Sequence, residues 1–232
     1  MLFVFAALFV LWERLSPARQ QPLWRERIGS DILFALSNAL LVGPIVVFSW
    51  QFALEVLVGA LPSLSGLRVA ARWPAWLQVI VVLVVADFIQ WLIHQRLHST
   101  LLWRLHRVHH SISDHQMDWL VSLRFHWGEQ LVYTSILCLP LYLMGFSSLA
   151  ILVHNILVVL SGYFNHANIN ADLGPLRYLF NSPKMHLWHH ETASHKTKNF
   201  GVVFSCWDWI FGTAYFPPSP PAHLEASQAK DS

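Results

Sequence analysis

Two stretches of this chain lack charged side chains over a length that a helix in water would not tolerate. Residues 32–54 contain no Asp, Glu, Lys or Arg, and neither do residues 130–171. A helix that crosses the hydrocarbon core of a bilayer needs about 20 mainly apolar residues. Charged residues make up 12% of the chain, about half the fraction found in a soluble domain. The sequence therefore predicts an all-α, polytopic membrane protein.

The apolar segments predict four to five membrane helices. Residues 32–54 and 76–93 are long enough to span, with a kink expected at Pro44, and residues 131–144 and 149–164 form a hairpin. Residues 1–12 are apolar but short, so a partial span is expected there. In lipid an open sheet edge leaves backbone groups unpaired, which favours helices throughout. We divide the chain into N-terminal helices (1–75), a second domain (76–215) and a proline-rich disordered tail (216–232).

The short loops predict how the chain is oriented. Residues 13–30 carry four arginines, whereas residues 62–73 carry two. Basic loops remain in the cytoplasm, so residues 13–30, 95–129 and the C-terminal third are expected there as a helical cap. A net charge of +2 without a basic tract excludes nucleic acid as a partner. Cys138 and Cys206 are too few for a disulfide framework.

Histidine is the unusual component, with fourteen copies against thirteen acidic residues. Residues three or four apart on a helix share a face, so such spacing aims imidazoles at a common point. Two H-x-x-H-H motifs would arise by chance in about one shuffled chain in a thousand. A closed zinc site takes four ligands, and twice that number predicts two metal ions. Eight histidines lie in one H-x-x-x-H and two H-x-x-H-H motifs: His94, His98, His106, His109, His110, His186, His189 and His190.

The remaining histidines divide by their position. His126 and His166 each lie at a predicted membrane junction and are candidate ligands. Imidazole suits Zn, Cu, Fe and Ni, so ligand type leaves the metal open. The H-E-x-x-x-H at 190–195 has one residue more than the zincin motif, which puts its second histidine about 140° round a helix from the first. Of the four remaining histidines, His154 is expected to pack within its apolar segment. His115 and His195 are expected to lie near the site or at the surface, and His223 is expected to be exposed.

Residues 80–215 resemble the fatty acid hydroxylase and sterol desaturase superfamily of integral-membrane di-iron enzymes. The resemblance begins with an aspartate before the H-x-x-x-H pair and a Trp-Arg-Leu lead into the first H-x-x-H-H. It continues through Arg-Phe-His-Trp-Gly-Glu at 124–129 and His-Ala-Asn at 166–168. It ends with Pro-Lys-Met before the second H-x-x-H-H, Asn-Phe-Gly at 199–201 and Trp-Asp-Trp-Ile-Phe-Gly-Thr at 207–213.

The resemblance implies oxygen-dependent hydroxylation or desaturation of a lipid by two iron ions, and a fatty acid hydroxylase-like catalytic domain at 76–215. The implied ligands are the eight histidines of the three motifs together with His126 and His166. Asp87, Glu129 and Asp208 are expected to accept hydrogen bonds from ligating imidazoles. Asn168 and Asn199 are expected to do the same or to be capping or surface residues. No haem-attachment or dinucleotide motif is present, so a separate reductase, cytochrome or ferredoxin is expected to supply electrons.

Two departures from the family pattern leave the lipid open. Trp127 stands where the family usually has proline, and Thr197 stands where it usually has an acid. Two other functions compete with the oxygenase: a non-catalytic histidine-rich membrane protein that carries or senses metal, and a zinc hydrolase. The first would place its histidines along a transmembrane path, whereas most of those here fall between the predicted spans.

Overall fold

The computed structural model describes residues 2–112, 116–190 and 198–217, and these residues are mostly helical. No strand occurs within these ranges, which confirms the all-α prediction; the Pro17–Ile169 and Phe180–Phe204 pairs are isolated bridges. The helices in these ranges are α1 (Leu2–Leu15), α2 (Ile28–Ala60), α3 (Ala75–Leu97), α4 (Trp103–His106), α5 (127–143), α6 (Ser148–His166), α7 (Pro183–His190) and α8 (Cys206–Ile210). Short 3₁₀ segments lie at Pro62–Leu67, Val69–Arg72, Trp119–Leu123 and Gly174–Tyr178.

Three helices in the described part of the chain are long and apolar enough to cross a membrane. They are α2 with 33 residues, α3 with 23 and α6 with 19. They contain the whole of the segments predicted at 32–54, 76–93 and 149–164, and they indicate an integral membrane protein. α1 has 14 residues, or about 21 Å of helix, which is short of the 30 Å hydrocarbon core. The expectation of four to five spans therefore stays a prediction.

Two of the long helices pass through proline without ending. Pro44 in α2 follows a π-helical turn at Asn38–Val42, and Pro140 in α5 follows one at Thr134–Cys138. Proline lacks an N–H and its ring crowds the carbonyl four residues earlier, and a wider turn relieves both problems. At the position of the kink expected at Pro44, the structure has a continuous helix with a π turn immediately before it.

Helices α3, α5 and α6 pack around a shared apolar core. Val82 and Ala86 of α3 contact Leu137 of α5 and Ile151 of α6 in one buried cluster. The same three helices direct polar ends toward one place, because His94 near the end of α3, Glu129 near the start of α5 and His166 at the end of α6 line one cavity. The three helices therefore bring His94, Glu129 and His166 together at one end of the bundle.

The N-terminal segment is tied to that end of the bundle by buried charges. Glu13 Oε1 accepts hydrogen bonds from the backbone N–H of Trp119 (3.0 Å) and Asn168 (2.9 Å). The Arg25 guanidinium forms a two-point ion pair with Asp118, with N···O distances of 2.6 and 2.7 Å. It also contacts Asp31 at 2.6 Å, and Arg124 forms a second ion pair with the same carboxylate. We call Arg25, Asp31, Asp118 and Arg124 the ion-pair cluster.

Candidate metal centre

The histidines meet in two adjacent groups. Within each group, one ligand atom from every ring lies within 4.8 Å of those of the other members. The two groups adjoin, since the ring centroids of His110 and His190 are 4.3 Å apart. The first group contains His94, His98, His106, His110 and His189, and the second contains His109, His166, His186 and His190.

In the first group, four close contacts each join two Nε2 atoms. His106 Nε2 lies 3.1 Å from that of His94 and 3.2 Å from that of His110. His189 Nε2 lies 3.1 Å from that of His110 and 3.2 Å from that of His98. Four different helical or loop segments supply these rings: α3, its C-terminal cap, α4 with the turn after it, and α7.

In the second group, His166 lies at the centre of the Nε2 contacts. Its Nε2 is 3.0 Å from those of His109 and His186 and 3.1 Å from that of His190. His186 and His190, one turn apart on α7, are also 3.1 Å apart at Nε2. The H-x-x-H-H spacing explains the division between groups, because His186 and His190 face one point while the intervening His189 faces the other.

The hydrogen-bond partner of Nδ1 shows which ring nitrogen carries the proton in three of these histidines. A carbonyl oxygen accepts but cannot donate, so an Nδ1 bonded to one must be protonated, and the Nε2 of the neutral ring then holds a lone pair. In each of three rings, Nδ1 lies 2.8 Å from a main-chain carbonyl oxygen: His94 at Phe200, His189 at Lys198 and His166 at Gly162.

Lone pairs on Nε2 atoms about 3 Å apart repel one another unless a cation lies between them. Ligand atoms placed at right angles and about 2.2 Å from an ion are about 3.1 Å apart, whereas a tetrahedral zinc site with 2.05 Å bonds separates them by about 3.3 Å. The observed 3.0–3.2 Å fits the former better. Five donors in one group also exceed the four of a closed zinc site. The residues present therefore fit a pair of metal ions.

Burial keeps these rings neutral and able to bind metal. It lowers the pKa of His106, His109 and His110 well below the ordinary value, with neighbouring imidazoles adding to the effect. The same holds for the pKa of each histidine of the second H-x-x-H-H motif. A metal ligand must be the unprotonated form, so desolvation favours metal binding over protonation here.

The comparison with protein families agrees with this geometry. A family model described as fatty acid hydroxylase matches residues 79–213, which is more than half of the chain. The chain belongs to the fatty acid hydroxylase family. The resemblance carried by the histidine motifs is thereby confirmed.

Several curated proteins are similar to this chain. An ornithine lipid hydroxylase from Rhizobium tropici is 31% identical over 222 residues, which cover 92% of this chain and 66% of that protein. The human alkylglycerol monooxygenase is 32% identical over 130 residues, covering 55% of this chain and 28% of its own length. A very-long-chain aldehyde decarbonylase from rice (Oryza sativa subsp. japonica) is 28% identical over 169 residues, covering 69% and 63%. The chain thus spans less than two thirds of each of these relatives, and no solved structure matches it significantly.

Glu129 is the predicted carboxylate that contacts an imidazole. Its Oε1 lies 2.9 Å from His106 Nδ1, and its side chain is fully buried. A carboxylate in this position fixes the tautomer and the orientation of the ring and raises its basicity as a ligand. Glu129 thus holds His106 through a carboxyl oxygen, whereas other rings are held by main-chain carbonyls.

Asp87 and Asp208 differ from the expectation that they accept hydrogen bonds from imidazoles. Their carboxylates accept from main-chain and indole N–H groups. Asp208 accepts from the backbone N–H of Phe200 and Gly201 at 2.9 and 2.7 Å, while the Phe200 carbonyl accepts from His94. Asp87 accepts from Val203, Phe204 and the Trp207 indole. Both carboxylates therefore fix the 199–207 segment, and Asp208 orients His94 through one intervening peptide.

The two asparagines also bind the main chain. Asn199 has a φ of 58°, a left-handed conformation that asparagine tolerates better than most residues. Its Nδ2 donates to the carbonyls of Met185 and Tyr215 at 2.8 Å, which fastens α7 to the segment after it. Asn168 donates to the Arg19 carbonyl at 2.8 Å and accepts from the Arg19 N–H. Among the described residues, neither side chain is hydrogen-bonded to an imidazole.

Of the ten histidines predicted as ligands, nine lie in the two groups and His126 does not. Its Nδ1 accepts from the Gly128 N–H at 3.0 Å, so the ring caps the start of α5. His154 is buried in α6, apart from both groups, and its Nδ1 lies 3.4 Å from Asn155 Oδ1. Three other histidines and most of the tail fall outside the described residues: His115, His195, His223 and residues 218–232.

Sequence reasoning missed the carbonyl partners and the ion-pair cluster. The carbonyls of Phe200, Lys198 and Gly162 carry no signal in the sequence, since every residue has one. The ion-pair cluster did offer a signal, because buried charges in a chain with so few of them must find partners. Its Arg124 Nε also donates to the Val108 carbonyl at 2.8 Å, one residue before His109.

A cavity of about 330 Å³ adjoins both histidine groups. Its walls include His94 and His106 of the first group and His109, His166 and His186 of the second, and they are mainly apolar elsewhere. Ligand pockets of this size, apolar with a few polar groups, are the usual binding sites for small molecules. The cavity therefore places a mainly apolar space directly beside the candidate metal centre.

Proposed function

We propose that this protein is a membrane-bound di-iron oxygenase that hydroxylates or desaturates a C–H bond of a lipid with O₂ and electrons from a separate donor. The observation that carries the proposal is the meeting of two groups of inward-facing Nε2 atoms at the wall of one apolar cavity. Neutral imidazoles leave the full positive charge on a bound metal pair, which favours binding and reduction of dioxygen.

The nine histidines of the two groups would hold two iron ions, five on one and four on the other. When bound, such a pair supplies the capacity to reduce dioxygen and oxidise an unactivated C–H bond, chemistry that amino acid side chains lack. Glu129 orients His106, and the carbonyls of Phe200, Lys198 and Gly162 orient three further rings. The protein thus positions these four ligands and keeps their protons on Nδ1.

The cavity supports a lipid substrate. Its walls near the metal centre include Leu123, Phe125 and Val202, which exclude water from the place where a C–H bond would react. The similar proteins are named as a hydroxylase of ornithine lipids and as monooxygenases of alkylglycerols, which supports lipid oxidation here. Which lipid and which carbon react depends on contacts along the cavity.

We further propose that the centre lies on the cytoplasmic face, at the ends of four to five membrane helices, in a catalytic domain comprising residues 76–215. The basic loop at 13–30 supports this orientation. A cytoplasmic centre is also accessible to a soluble reductase, a cytochrome or a ferredoxin. Arg96, Arg104 and Arg107 are exposed in the segment that carries the first histidine motifs and would attract an acidic donor.

The test combines metal analysis with isotope labelling. Protein purified without oxygen is expected to contain two irons per chain and, with reductant and ¹⁸O₂, to place ¹⁸O in a lipid of a membrane extract or to yield an unsaturated product. The His186→Ala variant serves as the inactive control. One zinc per chain with hydrolysed lipid would favour a zinc hydrolase. Reversible metal loading without any oxidised product would favour a carrier or sensor.

A further inference from the structure

The cavity extends from the metal centre far along two helices. On α6 its lining runs from His166 back to Asn155, eleven residues or about 16 Å of helix. On α5 it runs from Glu129 to Cys138, about 13 Å. Both directions lead away from the polar end of the bundle and into the part of the molecule formed by the candidate membrane spans.

The exposed side chains of the lining show where the cavity opens. Among the residues that line it, Val47 on α2 and Asn155 on α6 are exposed, whereas the others are buried or half-buried. The lining residues contributed by the cap, such as Ser122, Leu123 and Gly201, belong to the buried or half-buried set. The opening therefore lies between α2 and α6, at the far end from the histidines.

The surroundings of this opening are apolar. Phe48 and Phe52 beside Val47 on α2 are 68% and 69% exposed, and Leu152 near Asn155 on α6 is 54% exposed. Both helices are candidate membrane spans. In a chain that lies in a bilayer, side chains of this kind at this position contact lipid tails rather than water.

We infer that this opening is a lateral portal through which an acyl or alkyl chain of a membrane-resident lipid passes from the bilayer to the metal centre. The inference rests on the proposed function and sharpens it: the substrate is a lipid dissolved in the membrane rather than an acyl group delivered by a water-soluble carrier. A carrier-borne chain would need an opening on the cap side, where the described lining residues are covered.

The experiment uses the full chain in phosphatidylcholine vesicles doped with a phosphatidylcholine that carries a diazirine near the end of one acyl chain. After illumination, labelled positions are mapped by mass spectrometry of proteolytic fragments. We expect labels on cavity residues such as Leu137 and Val159 in addition to the lipid-facing residues of α2. Val47→Trp and Asn155→Trp are each expected to lower cavity labelling by about tenfold, because an indole fills the mouth of a close-packed passage.

Matched controls place the same indole beside the portal but outside the cavity lining. Ile45→Trp on α2 and Leu152→Trp on α6 are expected to leave cavity labelling unchanged, and the lipid-facing label on Leu40 normalises each sample. Absence of label in the cavity, or equal cavity labelling in the portal variants and their controls, would overturn the inference. The labelling needs no turnover, so it can fail while labelled dioxygen still enters lipid, and the two claims fail separately.

Discussion

Two buried polar clusters lie side by side in this protein, and they are satisfied in opposite ways. The ion-pair cluster contains two guanidinium groups and two carboxylates, so each charge has an opposite charge as its partner. The histidine groups contain nine imidazoles whose Nε2 atoms point at one another. A self-paired cluster stabilises the fold, whereas a cluster of facing lone pairs needs a cation. The comparison separates a structural polar site from a metal site by donor chemistry alone.

Removal of a ligand from the histidine groups is expected to have the largest effect on function. The His190→Ala variant removes one of four donors from the second group, and the change should lower iron content from two to about one per chain and reduce turnover at least about 100-fold. Iron is measured by plasma mass spectrometry and turnover by ¹⁸O incorporation. His154→Ala, which changes a buried histidine apart from both groups, is the control. Full iron content in the His190 variant would break the distinction drawn between the clusters.

Disruption of the ion-pair cluster should lower the stability of the fold and leave the iron content unchanged. The Arg25→Met variant leaves Asp118 buried without its partner, which we expect to cost about 3–5 kcal/mol of stability. Iron per folded chain should remain at two. Thermal unfolding in detergent measures the loss, and the Arg25→Met/Asp118→Leu double variant should recover part of it, because no uncompensated charge then remains at residue 118. Loss of iron in the folded fraction of the single variant would show that the cluster also serves the metal centre.

Glu129 contacts the histidine centre through its carboxyl group, and its replacement should weaken iron binding without abolishing it. Glu129→Gln keeps an acceptor for His106 Nδ1 but removes the charge, and we expect iron affinity to fall about 10- to 100-fold. Competition with a chelator of known affinity measures the change. Glu55→Gln, at an exposed acid on α2, is the matched control. An unchanged affinity in Glu129→Gln would mean that the negative charge behind His106 does not strengthen metal binding.

His126 should give the smallest effect, since the structure makes it a helix cap. His126→Ala is expected to cost about 1 kcal/mol of stability and to leave iron content unchanged. His126→Asn, which keeps a capping acceptor, should recover most of that stability. If His126→Ala instead removed an iron, the ligand role that the sequence motif implies for this residue would be right and its capping role incomplete.

The long apolar helices and the convergence of the histidines could be predicted because both depend on local patterns in the sequence. Apolar length predicted α2, α3 and α6, and three- and four-residue spacing predicted the rings that share a face. The division of His186, His189 and His190 between two groups needed the distances between segments far apart in the chain. So did the partners of Asp87 and Asp208, because the backbone N–H groups that they bind carry no signal in the sequence. His126 shows the same limit of sequence-based prediction. Its motif predicts a metal ligand, whereas in the structure its ring caps the start of α5.

The central claim is that the two groups hold two inequivalent irons, one with five imidazoles and one with four. Mössbauer spectroscopy of ⁵⁷Fe-loaded protein, with the iron content measured on the same sample, tests it most directly. We predict two iron ions per chain and two high-spin ferrous signals of equal area, with the signal of the four-histidine group lost in the His190→Ala variant. A single signal from one iron per chain in the wild-type protein would contradict the account.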